Sequence, residues 1–149
     1  MIEVWVDGSV RNGNPGLGGV AVVFYRNGKY VSDFSKIIGD YVTNNEVEYL
    51  AVITALEWLL ENNTLNENCV IYTDSKIVYG QLVLGWKINF EHLLKLNSDV
   101  RNMCNKASFS VMFKHLKRGL NEEANELAQK TTLKEKERRG DARFRGSER

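Results

Sequence analysis

From Thr43 to Asn63 the apolar residues recur at helical spacing. Val47, Leu50, Ala51, Thr54, Ala55 and Trp58 fall at i, i+3, i+4, i+7, i+8 and i+11, one stripe along one helix face. Everything before this segment has a different rhythm. Ile2–Val6 reads as a strand that ends at Asp7, and GVAVVFY, Gly19 to Tyr25, reads as a second. Asn27-Gly28 is a hairpin turn signal that hands the chain to a third strand within Lys29–Gly39. A chain that changes from strand period to a long helix at Thr43 must pack that helix on a sheet.

The remainder continues the alternation. CVIYT, Cys69 to Thr73, is a short apolar run suited to a buried strand, and Asp74-Ser75 can cap the helix that follows and closes at Gly85. A further helix is expected over Phe90–Ala107. SVMFKHL is a last strand, and Asn121 stands as the N-cap of a final helix with acids in its first turn. The order β-β-β-α-β-α-α-β-α predicts a mixed sheet with helices packed on it, α/β or α+β in class, in one domain over residues 1–132. With 149 residues, 43% of them hydrophobic, the chain can bury a substantial core.

Charge narrows the function classes. The segment 134–149 carries seven basic and four acidic residues, while the other 133 residues carry 13 basic and 15 acidic, so the body is slightly acidic. Such a body does not bind polyanions by net charge, and any polyanion it engages must be held locally. Residues 133–149 are expected to form a flexible charged tail. No run approaches the length of a membrane span and no signal-peptide pattern opens the chain, so a cytoplasmic monomer is expected. Cys69 and Cys104 lack metal-type spacing and sit in apolar contexts, which favours reduced thiols.

Three acids stand at informative places: Asp7 and Asp74 where strands end, and Glu48 in the first turns of the long helix. Packed together, like charges raise one another's pKa unless a cation joins them. Hard oxygen donors of this kind suit Mg²⁺ or Mn²⁺, and two such ions about 4 Å apart can serve phosphodiester cleavage. Each acid alone has a bland reading. Asp7-Gly8 can be a turn, Glu48 can answer the helix dipole, and Asp74 can be a cap.

The combination is more specific. Asp7-Gly8-Ser9, Asn14-Pro15-Gly16 with Gly18-Gly19, Thr43-Asn44-Asn45 with Glu48, Thr73-Asp74-Ser75, and Asn121 through Ala128 occur in this order. Over about residues 1 to 132 this resembles type 1 ribonuclease H. The resemblance implies a five-stranded mixed sheet flanked by helices. It also implies endonucleolytic hydrolysis of the RNA strand of an RNA/DNA hybrid, with two Mg²⁺ or Mn²⁺ ions and no small-molecule cofactor, leaving 5′-phosphate and 3′-hydroxyl ends. It places Asp7, Glu48, Asp74 and residue 125 at the cations, Asn14, Asn44 and Asn45 in the minor groove, and Thr43 against a phosphate of the DNA strand. Lys76, where the family commonly has Gln, adds a charge near the groove.

Three departures set further expectations. Asn125 stands where the family usually has Asp; its carbonyl can ligate but brings no charge. A basic protrusion found in many members is reduced to Gly85–Asn89, with one lysine. In FKHLKRGLN, Arg118 rather than His115 is the stand-in for a mobile histidine, with His115 expected inside the strand. The rival readings are a catalytically silent hybrid-binding module and another nuclease of the same fold, such as a resolvase or an excised reverse-transcriptase domain.

Overall fold

The structure, a computed structural model, describes residues 1–117 and 119–147. Three strands, β1 (Ile2–Arg11), β2 (Gly16–Arg26) and β3 (Lys29–Val42), run antiparallel in sequence order. The turn between the last two forms as its Asn-Gly pair requires, with Asn27 at φ 52° and Gly28 at φ 80°. The chain then forms α1 (Asn44–Asn62), β4 (Cys69–Thr73), α2 (Lys76–Val83), α3 (Glu91–Lys106), β5 (Val111–His115) and α4 (Glu122–Ser147). The five strands make one mixed sheet in the order β3-β2-β1-β4-β5, with β4 parallel to both of its neighbours.

Helix α1 starts where the sequence changes period. Thr43 is its N-cap and exchanges hydrogen bonds with Glu46 in a complete capping box. Its inner face, including Val47, Tyr49, Val52, Leu56 and Leu59, is buried against Val4, Val6, Val20, Val22 and Phe24. Full burial of each such side chain contributes about 1.5–3 kcal/mol, so the sheet and not local propensity holds the helix. Leu56→Ala would leave a cavity costing about 2–5 kcal/mol. Helix α3 packs beside α1, and α4 packs across β1, β2 and β3. A Cβ on Gly19 would come 2.8 Å from Thr132 of α4, whereas Val20 next to it faces the α1 core.

Several boundaries differ from those read in the sequence. Strand β1 does not end at Asp7 but continues to Arg11, because β2 pairs with it as far as Leu17 while its pairing with β4 stops at Trp5. Helix α3 spans Glu91–Lys106, with Phe90 and Ala107 as its caps. Asn121 is not a side-chain cap; its Nδ2 donates to the Val6 carbonyl at 2.7 Å and pins the start of α4 to β1. Helix α4 runs through most of the segment expected to be a charged tail. Glu135, held down to about 2 by hydrogen bonds from Arg138 and Arg139, and the Arg139–Asp40 pair at 2.7 Å tie this stretch to itself and to β3. Among the described residues no helix is long and apolar enough to cross a membrane. Cys69 and Cys104 are free thiols.

Candidate active site

The parallel register of β1 and β4 sets up the site. Trp5 is level with Tyr72, the last paired position, and from there each chain runs two residues on, to Asp7 in β1 and to Asp74 just past β4. Ser75 supplies the cap of α2, its hydroxyl accepting from the Val78 amide. The third carboxylate arrives from α1, which crosses close to β1 because Gly8 has no side chain. A Cβ there would lie 2.7 Å from Val47 and 3.0 Å from Glu48 Oε1. The Gly8 amide donates to Asp7 Oδ1 and to Glu48 Oε1, each at 2.9 Å. One carboxylate oxygen from each of Asp7, Glu48 and Asp74 lies within 4.8 Å of the others.

This packing is electrostatically costly. Asp7 is 2% exposed. Burial first, and then the charge of Asp74, push its carboxyl up to about 6, against hydrogen bonds from Asn125, Glu48 and Gly8. Glu48 is raised well above the ordinary carboxylate range by burial and by the charges of Asp7 and Asp74. Adjacent carboxylates in a dry place cannot all ionise unless a cation joins them. The three groups offer only oxygen donors, and Asn121, also lining the pocket, keeps a buried Oδ1 without a partner. This donor set fits a hard divalent cation.

Around the carboxylates lies an open pocket of about 780 Å³. Asn44, Asn45, Lys76 and Asn125 line it with the three acids. Asn14 and Thr43 are not in its lining: Asn14 Oδ1 accepts from the Asn44 amide at 2.9 Å, and the Thr43 hydroxyl is engaged in the cap of α1. Asn125 Nδ2 donates to Asp7 Oδ2 at 2.7 Å. Arg118 lies outside the described residues. His115, set aside in the sequence in favour of Arg118, ends β5 as expected yet also lines the pocket, with its ring 5.7 Å from that of Tyr79. Gln129 lines it as well, and sequence reading had not singled it out. The only sequence signal for Gln129 was its position one helical turn after Asn125. The α2–α3 connection, short as read, is folded down with Trp86 against Gly80, whose added Cβ would meet the indole at 2.1 Å.

The sheet order, the helices on it and the acids carried by β1, by α1 and just past the end of β4 define the ribonuclease H-like class of domain. Residues 5–131 match the family described as reverse transcriptase-like. Over 96 residues the chain is 38% identical to a ribonuclease H of Bartonella bacilliformis and 39% identical to ribonuclease HI of Haemophilus influenzae. The match takes in 60% of this chain and 55% of each relative, so the chain spans about half the length of the relatives it matches. Among solved structures, LC11-RNase H1 in complex with an RNA/DNA hybrid superposes with a TM-score of 0.81 at 27% identity, over 90% of this chain and 98% of that one. RNase H1 of the halophilic archaeon Halobacterium salinarum gives 0.79 at 29%, over 87% and 96%. The chain belongs to the ribonuclease H family.

Proposed function

We propose that this chain is a type 1 ribonuclease H: an endoribonuclease that hydrolyses the RNA strand of RNA/DNA hybrids and leaves 5′-phosphate and 3′-hydroxyl ends. The observation that carries the reading is the convergence of Asp7, Glu48 and Asp74 within 4.8 Å in an open pocket. These carboxylates would hold two Mg²⁺ or Mn²⁺ ions, with Asn125 as an uncharged fourth member of the site. Such cations supply Lewis acidity toward the phosphate and toward water.

The rest of the chain positions the hybrid. Asn44 and Asn45, with Asn14 behind them, present short amides at the pocket rim, suited to 2′-hydroxyls and base edges in a minor groove. Lys76 adds a cation on the same rim, and Thr43 and Arg118 are proposed to engage phosphates. None of these groups reads sequence, so recognition rests on backbone and shape. The short α2–α3 connection predicts modest, salt-sensitive affinity. The charged segment 133–149 could add nonspecific contacts; truncation at Thr132 would then lower the salt slope of binding.

A second reading, a silent hybrid-binding module, is favoured by one observation: the fourth corner presents an amide nitrogen to Asp7. A labelled hybrid incubated with Mg²⁺ and with Mn²⁺, beside duplex DNA and single-stranded RNA, separates the readings. Cleavage confined to the hybrid's RNA strand supports the nuclease. Binding without cleavage in both metals supports the module, and cutting of duplex DNA would support a different nuclease of this fold.

A further inference from the structure

The two ends of the Asn125 amide are committed in opposite directions. Its nitrogen donates to Asp7 Oδ2 at 2.7 Å, and its oxygen accepts from Gln129 Nε2 at 3.1 Å. The two contacts agree with each other: the carboxylate oxygen of Asp7 takes the amide nitrogen, and the amide oxygen left over takes the nitrogen of Gln129. Gln129 stands one helical turn after Asn125 on the same face of α4. Its own backbone is held in turn: Arg11 Nη2 donates to the Gln129 carbonyl at 3.1 Å, and Arg11 Nε donates to Thr132 Oγ1 at 3.2 Å. A continuous series of hydrogen bonds therefore runs from the end of β1 through α4 to Asp7.

On the reading of Asp7, Glu48 and Asp74 as a cation site, we propose that Gln129 is a positioning residue that keeps the Asn125 oxygen turned away from the carboxylates. The fourth corner then steadies Asp7 with a donated hydrogen bond and offers no oxygen to a cation. For Asn125 to ligate, its amide must turn over, which breaks the bonds to Asp7 and to Gln129 together. Removing the Gln129 donor lowers that barrier and makes an additional oxygen available.

The test is Mn²⁺ binding to the full chain without nucleic acid at pH 8, followed by the electron paramagnetic resonance of free Mn²⁺. Gln129→Met keeps the side-chain length and helix propensity while deleting the donor. It should tighten Mn²⁺ binding about fivefold, the equivalent of one neutral hydrogen bond. The same substitution in an Asn125→Ala background should have no effect, since no amide is left to turn. Unchanged or weaker Mn²⁺ binding in Gln129→Met would overturn the positioning role, as would equal tightening in the Asn125→Ala background. If the wild-type chain bound no Mn²⁺ at all, the cation site would fall, and the role of Gln129 with it.

Discussion

Glu48 and Tyr49 are neighbours on α1, and they enter two buried polar regions of opposite character. Tyr49 belongs to a network in which donors meet acceptors. Its hydroxyl donates to Gln81 Oε1 at 2.7 Å and accepts from Asn97 Nδ2 at 3.2 Å. Arg101 donates to Asn97 Oδ1 at 2.9 Å and to the Gln81 carbonyl at 3.2 Å. A single cation is spread over neutral acceptors, and the result clamps α1, α2 and α3 together. Glu48 belongs to a cluster of three acids, where Asn125 Nδ2 donates to Asp7 and the Gly8 amide donates to both Asp7 and Glu48. The first region sets donors against acceptors within α1, α2 and α3, whereas the second sets like charges side by side, a setting that suits a divalent cation. Buried polar residues that are fully paired belong to the scaffold; those packed like against like mark the chemistry.

The sharpest way to break this contrast is to neutralise one acid. Asp74→Asn should reduce hybrid cleavage by more than about a hundredfold while leaving the fold intact, as read by gel assay and circular dichroism. In the metal-free protein the same change should raise the melting temperature, because a repulsive charge is gone. A lower melting temperature would mean that Asp74 acts as a structural residue.

Next in size is a pH effect with a definite sign. Asp7 is raised from its ordinary 3.8 to about 6, so the folded state binds the proton more tightly than the unfolded chain. Its favourable contribution is complete at low pH and is lost as pH rises through about 6, a change of about 3 kcal/mol. With chelator present, wild type should therefore lose stability between about pH 4 and 7 relative to Asp7→Asn, as urea titrations would show. Excess Mg²⁺ should restore it at pH 8.

Tyr49→Phe probes the other region. Removing the hydroxyl leaves Gln81 Oε1 without its donor and should cost about 1–3 kcal/mol in denaturant titrations. Hybrid cleavage should stay within about twofold of wild type. A larger loss of activity would show that the two regions are coupled through α1. The smallest effect is expected for Thr43→Ala, which removes the capping box and should cost about 1 kcal/mol. A rise in KM beyond what that loss of stability explains would place Thr43 at a substrate phosphate.

The fold was legible in the sequence where a single period dominates a segment, as in the α1 stripe, the Asn27-Gly28 turn and the strand after Cys69. The nearness of Asp7 and Asp74 followed once their strands were taken as neighbours. What escaped depended on partners from distant segments. Strand β1 extends past Asp7 because β2 reaches it there, and Asn121 gives up its capping role because the Val6 carbonyl lies within reach. In residues 133–139 the charges pair along the helix, as Glu135 does with Arg138 and Arg139, where a count of charges reads solvation. His115 and Gln129 looked ordinary because the pocket they line is assembled from segments distant in sequence. The reach of Asn125 toward Asp7 likewise depends on the placement of α4, which no local pattern specifies.

The most direct test of the central claim is the product analysis of a hybrid whose RNA strand is labelled, with Mg²⁺ or Mn²⁺ added to chelator-treated protein. The account predicts internal cuts in the RNA strand alone, with 5′-phosphate ends, and no cutting before a cation is added. Failure to cut with either cation, from a folded chain that binds the hybrid, would contradict it.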